Sequence, residues 1–237
     1  MLTLMMKANQ ILFSLFCRRQ QRFVFVSVFC CFLLGSCSPK MFTGLKSAEG
    51  RYSKGMLALF HPWQNESLVY KTMIKYKDKE FSSLTYLNAL SDSVFKIILL
   101  SNFGNTLLEA EISRDRFTVN NVISYLDRIP ILKLFEVDWR ILLGGNLKRS
   151  IPKLFTENSK STVFNFVDGR TNNLYHYDLV TKSVTMIESY KGKSKKVLVN
   201  IDSMQDLQPE VFSIDHPSLN LKITMSLLKR VTNETVE

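Results

Sequence analysis

The sequence predicts an α+β fold that is mainly β: a half-open antiparallel β-barrel in which one curved sheet has helices over its concave face. Many short segments alternate apolar and polar residues, as strands do when one face is buried. A mid-chain region changes to apolar spacings of three and four, which are typical of an amphipathic helix. No repeat, low-complexity tract or linker interrupts residues 49–232, so we expect a single domain there.

The first half of this domain consists of predicted strands. An apolar run near its start ends at His61-Pro62, because proline cannot donate to a β-ladder. Period-two alternation follows in Ser67–Tyr76, and Asp78-Lys79 marks a turn. The predicted strands of this half are residues 54–60, 67–76, 81–87, 94–100, 106–112 and 117–119.

Two helices are predicted between residues 120 and 145, separated at Pro130. In the second, residues 131–143, proline stands near the start and glycine follows the end, which is the usual asymmetry of helix termini. Its apolar surface is broad, since Trp139 and two other apolar residues lie off the main stripe. We expect such a helix to pack against a sheet or to cover a cavity.

Strands resume after Pro152. They are predicted at residues 162–167, 174–179, 183–189, 195–201 and 219–227, with a loop or single helical turn at 204–209. The last strand is the clearest, because alternate residues from Leu219 to Leu227 are apolar and those between them are polar. One face of this strand is therefore expected to be buried and the other exposed to solvent.

The N-terminus has the layout of a bacterial export signal. Three arginines precede the apolar run Phe23–Leu34, whose 12 residues fall within the roughly 7–15 of a signal core and short of the ~20 that span a bilayer. The run ends in Leu34-Gly35-Ser36-Cys37, which resembles the lipobox of bacterial lipoproteins. We predict that residues 1–36 are a signal peptide, that Cys37 is lipidated and that residues 37–48 form a tether. A non-cleaved anchor, or an ordinary signal with a coincidental cysteine, is the alternative.

Several classes of function are disfavoured by the cysteine positions, by the net charge and by the absence of known motifs. Three of the four cysteines lie in the signal and the fourth is Cys37, so the mature body has no thiol for a disulfide, a nucleophile or a metal site. Loss of the signal's four basic residues lowers the formal net charge from +10 to +6, and no basic and aromatic cluster indicates a nucleic-acid partner. The three histidines are scattered and are interpreted as structural, and no nucleophile elbow, phosphate loop or dinucleotide fingerprint occurs. We expect no enzymatic activity, cofactor or metal.

The most informative segment is residues 95–109, in which two apolar strands meet at a tight turn that contains Phe103. Turn tips are normally polar, because they are exposed to solvent and make few contacts with the core. Phe103 is expected either to fold back over the end of the sheet or to project from it. A projecting ring beside a lipid anchor would dip into a membrane interface.

This segment resembles the LolB family, outer-membrane receptors that take lipoproteins from the periplasmic carrier LolA and insert them. Residues Leu99–Thr106 follow the family pattern of leucines, polar residues, a hydrophobic residue, glycine, a small residue and threonine. Residues 138–144, and His216-Pro217 before the last strand, are also similar to the family. The chain departs from the pattern where Asn102 replaces the usual proline, and at the hairpin 193–196.

The resemblance implies a LolA/LolB-like fold and a monomeric, lipid-anchored outer-membrane protein that faces the periplasm. Its implied partners are a LolA-like lipoprotein carrier, the acyl chains of lipoproteins and the membrane. The membrane-inserting residue of the family corresponds to Phe103, followed by Gly104. A shift of the helix 131–143 would open the entrance to the acyl chains. The residues predicted to line their cavity are Phe95, Ile97, Leu99, Leu134, Ile223 and Met225.

A packed interior and a lipid cavity use the same residue types, so two other functions stay open. In the first, the core is filled and the chain is a lipid-anchored scaffold or partner-binding lipoprotein. In the second, the chain carries another lipid, such as a glycolipid.

Overall fold

A computed structural model describes residues 42, 44–49, 54–57, 59–60, 66–113, 115–144, 147, 151–206 and 208–232. The chain divides into two units, Met1–Thr43 and Gly44–Glu237, and the second contains every described strand. The predicted signal peptide, Cys37 and part of the predicted tether lie outside the described residues. Within the described residues, no helix is both long and apolar enough to cross a bilayer.

Thirteen antiparallel strands form one sheet in the described chain. They are β1 (Lys46–Ala48), β2 (Glu66–Tyr76), β3 (Lys79–Ser91), β4 (Val94–Ser101), β5 (Thr106–Ser113), β6 (Phe117–Val122), β7 (Lys153–Asn158), β8 (Ser161–Asp168), β9 (Thr171–Asp178), β10 (Ser183–Lys191), β11 (Ser194–Gln205), β12 (Gln208–His216) and β13 (Leu221–Thr232). Their order across the sheet is β1-β7-β8-β9-β10-β11-β12-β13-β2-β3-β4-β5-β6. The outermost strands, β1 and β6, do not pair with each other, so the predicted open antiparallel sheet is confirmed.

The alternation of side chains gives the sheet an apolar inner face. Residues directly opposite one another on antiparallel strands share a face. Leu68, Leu87 and Ile97 are opposite one another on β2, β3 and β4, and all three are buried. On the other face, Lys96 of β4 forms an ion pair with Glu109 of β5 at 2.8 Å. The apolar face therefore forms the core, and charged residues remain on the outside.

The prediction of helices over the concave face is corrected to one helix in the described chain, α1 (Ile129–Leu142). The first predicted helix does not form, because β6 extends to Val122 and pairs with β5 over that region. Only residues 123–128 remain between β6 and α1, fewer than two helical turns. The second predicted helix forms close to its expected limits, with Pro130 in its first turn.

Several other segments differ from the sequence-based prediction. The predicted strand 54–60 begins instead as a 3-10 turn at Lys54–Leu57, and the consecutive residues Leu59 and Phe60 are both buried, which a half-buried strand does not allow. Strands β1, β7 and β12 were not predicted. The predicted loop at 204–209 is mostly strand, because β11 ends at Gln205 and β12 begins at Gln208.

The attachment of α1 shows that the sheet is strongly curved. Arg140 donates to the carbonyl oxygen of Ser113 at the end of β5 at 2.9 Å. The next residue, Ile141, accepts a hydrogen bond of 3.1 Å from the Tyr175 hydroxyl on β9. In a flat sheet β5 and β9 would be eight strand spacings apart, roughly 38 Å. Adjacent helix residues reach both strands only because the sheet curls around α1.

Candidate functional site

The structure places five of the six predicted cavity-lining residues on the inner face of the sheet. Phe95, Ile97 and Leu99 point inward from β4, opposite Ala89, Leu87 and Thr85 of β3. Ile223 and Met225 point inward from β13. The sixth residue, Leu134, is half-buried on α1. The inner face is therefore mainly apolar, and a few buried polar residues lie among the apolar ones: Thr72, Ser83 and Thr85.

One row of this face emerges into solvent. Ile214, Ile223, Ile74 and Phe81 are opposite one another on β12, β13, β2 and β3. Ile214 is only 3% exposed, the next two are half-buried, and Phe81 is 52% exposed. These four residues, called here the open strip, lead from the core to one end of the sheet.

Under α1 the inner face is filled by aromatic rings. Phe60 makes ring contacts with Tyr70, Phe212 and Trp139 at centroid distances of 5.9–6.3 Å. The Tyr70 hydroxyl is buried and donates to the carbonyl oxygen of Pro209 at 2.7 Å. Burial raises the pKa of this hydroxyl well above its usual range. The inner face thus combines a packed region with the open strip.

The β4–β5 hairpin presents Phe103 at the same end of the sheet as Phe81. The Phe103 side chain is 92% exposed, so the ring does not fold back over the sheet. Gly104 has a φ of +83°, a left-handed conformation that glycine adopts without strain and that the tight turn requires. The apolar residue that was unusual for a turn in the sequence is thus a fully projecting apolar tip.

Ser101 organises this tip, a role that sequence analysis missed. Its Oγ accepts hydrogen bonds from the amides of Phe103 at 3.3 Å and Asn105 at 3.1 Å. Its carbonyl oxygen accepts from the Gly104 amide at 3.0 Å, and its own amide donates to the carbonyl oxygen of Asn105 at 2.9 Å. A serine directly before a turn is a known signal for such side-chain to backbone bonding.

A buried polar pair fastens α1 to the sheet. Asp138 Oδ2 of α1 lies 3.0 Å from His216 Nε2 of β12, and both side chains are almost completely inaccessible. Burial raises the pKa of the Asp138 carboxyl more than the hydrogen bond and charge of His216 lower it. The structural interpretation of His216 is consistent with this contact, whereas the role of Asp138 was not predicted.

Comparison with known proteins finds similarity in structure only. No family model and no curated protein matches the sequence. The structure superimposes on a LolA superfamily protein from Nitrosomonas europaea with a TM-score of 0.54 and 7% identity, covering 78% of this chain and 95% of that one. The chain has a LolA-like fold. At such low identity the match concerns the fold alone.

Two more distant structures are also similar to this chain. A DUF1329 family protein from Desulfovibrio piger matches with a TM-score of 0.44 and 6% identity, over 73% of this chain and 87% of that one. A putative outer membrane lipoprotein-sorting protein domain from Vibrio parahaemolyticus matches with a TM-score of 0.43 and 9% identity, over 73% and 86%.

A second group of titratable side chains joins three neighbouring strands, β9, β10 and β11. His176 on β9 lies 3.4 Å from Glu188 on β10, and Lys195 on β11 also pairs with Glu188. The interaction with His176, followed by that with Lys195, lowers the pKa of Glu188 to about 2. No cluster of three histidine, cysteine or acidic residues suited to a metal ion occurs among the described residues. His61 lies outside them.

Proposed function

We propose that this chain is a lipid-anchored periplasmic protein that receives lipoproteins from a LolA-like carrier and inserts them into the outer membrane. The observation that supports this most is the position of Phe103. A 92% exposed phenylalanine stands at a turn tip, at the same end of the sheet as the open strip. An apolar surface that leads out of the core and an apolar tip beside its end suit the transfer of acyl chains to a membrane.

The inner face would shield the acyl chains during transfer. An exposed methylene group costs about 0.8 kcal/mol in water, so a lipoprotein crosses the periplasm only if its chains are covered. The open strip and the predicted lining residues of β4 and β13 offer such a cover, and α1 would shift to widen it. This function needs no covalent chemistry and no cofactor.

The remaining parts of the proposal come from the N-terminus and the family resemblance. Cys37 would carry the lipid that holds the protein on the outer membrane, with the body in the periplasm. Transfer from the carrier would follow a difference in affinity between two apolar cavities. The monomeric state and the identity of the carrier belong to the same proposal.

The test uses the mature chain, residues 37–237 with Cys37→Ser, and an acylated lipoprotein loaded on its periplasmic carrier. Uptake of the cargo and its delivery to vesicles are measured separately. Phe103→Glu should take up cargo like the wild type and fail to deliver it, because a carboxylate does not enter the apolar part of a bilayer. Val180→Glu, at an exposed apolar position in the β9–β10 turn at the other end of the sheet, is the matched control and should deliver normally.

The packed aromatic region under α1 favours a second candidate, a lipid-anchored scaffold or partner-binding lipoprotein with a filled core. In that case the wild type takes no acyl chain from the carrier or from a detergent micelle. If it takes up another lipid, such as a glycolipid, but no lipoprotein, the chain is a carrier for that lipid instead.

A further inference from the structure

At one end of the sheet, four neighbouring turns each have an exposed large apolar side chain in them or beside them. They are the β12–β13 turn (217–220), the β2–β3 turn (77–78), the β4–β5 turn (102–105) and the β6–α1 turn (123–128). The strand order places them side by side. The exposed residues in and beside these turns, called here the apolar edge, are Leu219, Tyr76, Phe81, Phe103, Tyr125 and Ile129.

The strand register fixes this arrangement. Tyr76 pairs with Lys79 on one side and with Leu221 on the other, so the first two turns are neighbours. Ser83 of β3 pairs with Ser101, which brings the start of β3 beside the end of β4. The amide of Ile123 donates to the carbonyl oxygen of Leu107 at 3.0 Å, which holds the β6–α1 turn beside the β4–β5 hairpin.

The β6–α1 turn is the most apolar neighbour of Phe103. Tyr125 is 69% exposed and Ile129, at the start of α1, is 85% exposed. Side chains exposed to this degree contribute little to the core, so packing does not explain them. Together with Phe103 they present three large apolar groups, on two adjacent turns and at the first residue of α1.

Basic residues accompany the apolar edge. The Lys77 ammonium lies 5.3 Å from the centre of the Tyr76 ring, and the Arg128 guanidinium lies 5.4 Å from that of Tyr125. Asp78 and Asp127 are the acidic residues of the same two turns. The adjacent β10–β11 turn adds the exposed Lys191 and Lys193. Tyrosines with a wet hydroxyl and long basic side chains are the residues that favour the interface between lipid and water.

We infer that the apolar edge docks on a lipid bilayer, with Tyr125 and Ile129 as a second contact beside Phe103 and with Lys191 and Lys193 at anionic headgroups. This inference rests on the proposed delivery function and extends the membrane contact from one residue to an edge of the sheet. A bilayer suits this edge because its apolar groups lie in and beside four separate turns, and a fluid surface accommodates separated groups where a folded partner needs a continuous complementary face. Binding then increases with buried apolar area and with attraction to anionic lipid.

The experiment measures binding of the mature chain, residues 37–237 with Cys37→Ser, to vesicles of phosphatidylcholine with and without phosphatidylglycerol. Tyr125→Gln with Ile129→Gln should lower the partition coefficient about tenfold or more on both vesicles, because apolar contact is lost. Lys191→Gln with Lys193→Gln should lower it only on vesicles that contain phosphatidylglycerol, and added salt should have the same effect. Leu179→Gln with Val180→Gln, at the other end of the sheet, is the matched control and should bind normally.

Uptake of a fluorescent fatty acid without vesicles separates this inference from the proposed function. Uptake without vesicle binding overturns the docking inference and leaves acyl binding in place. Vesicle binding without uptake overturns the proposed function and supports docking. Equal loss of binding in the control pair, or a dimer in sedimentation that Tyr125→Gln dissociates, assigns the edge to another role and overturns docking.

Discussion

At the scale of single residues, the attachment of α1 depends on the buried pair of Asp138 and His216. A buried polar group costs free energy unless it finds a partner, and here each side chain supplies the partner of the other. The Oδ1 atom of Asp138 is buried without a hydrogen-bond partner, so the 3.0 Å contact through Oδ2 is the principal compensation for this carboxyl group.

Asp138→Leu should lower the free energy of unfolding by about 1–3 kcal/mol, because His216 is then buried without its partner. Adding His216→Leu should recover part of this loss, since the unmet hydrogen-bonding group is removed as well. Urea unfolding of the two single variants and the double variant measures the coupling. Strictly additive losses would show that the two side chains act independently.

At the scale of elements, the β4–β5 hairpin needs glycine at its tip. A Cβ at Gly104 would meet nothing within 4 Å, so a side chain there costs backbone strain rather than collision, about 1–2 kcal/mol. Gly104→Val should therefore shift the tip, misplace Phe103 and reduce cargo delivery to vesicles. Gly169→Val in the β8–β9 turn imposes the same kind of strain in equally open surroundings and should leave delivery to uncharged phosphatidylcholine vesicles unchanged. Equal loss of delivery in both variants would assign the effect to stability alone.

An element could be predicted from the sequence when the interactions that form it leave a pattern within that segment. The strands β2 to β5 were predictable because one buried face imposes alternation along a short segment. β12 was missed because Val211, on the outer face, interrupts that alternation. β1 has only three residues and forms through its pairing with β7, more than 100 positions away. Such pairing leaves no local pattern.

Some features of the candidate site could likewise be predicted from the sequence, and others depend on contacts between distant segments. The unusual apolar residue at the tip was visible in the sequence, because turn tips are normally polar. Its projection, and the neighbouring Tyr125 and Ile129, depend on strand order, which places the β6–α1 turn beside the β4–β5 hairpin. The Asp138–His216 pair joins residues 78 positions apart and depends on the curvature of the sheet.

At the scale of the whole molecule, α1 joins strands that are far apart in the sheet order. Arg140 reaches β5, Ile141 accepts from Tyr175 on β9, and Asp138 pairs with His216 on β12. Because one helix holds both halves of the curved sheet, its release is the movement that would widen access to the inner face. The curvature and the gating role proposed for α1 are therefore linked.

Tyr175→Phe tests this link, because it removes one buried hydrogen bond to α1, worth about 1 kcal/mol, without changing the ring. A loss of that size should raise the population of released helix about fivefold. Hydrogen exchange in residues 129–142 and the rate of fatty-acid uptake should both increase by this factor. Tyr177→Phe is the matched control on the same strand, since the Tyr177 ring packs on Phe164. If exchange in α1 accelerates while uptake stays at the wild-type rate, acyl chains enter along the open strip with the helix in place, because release of α1 is then not the step that limits access.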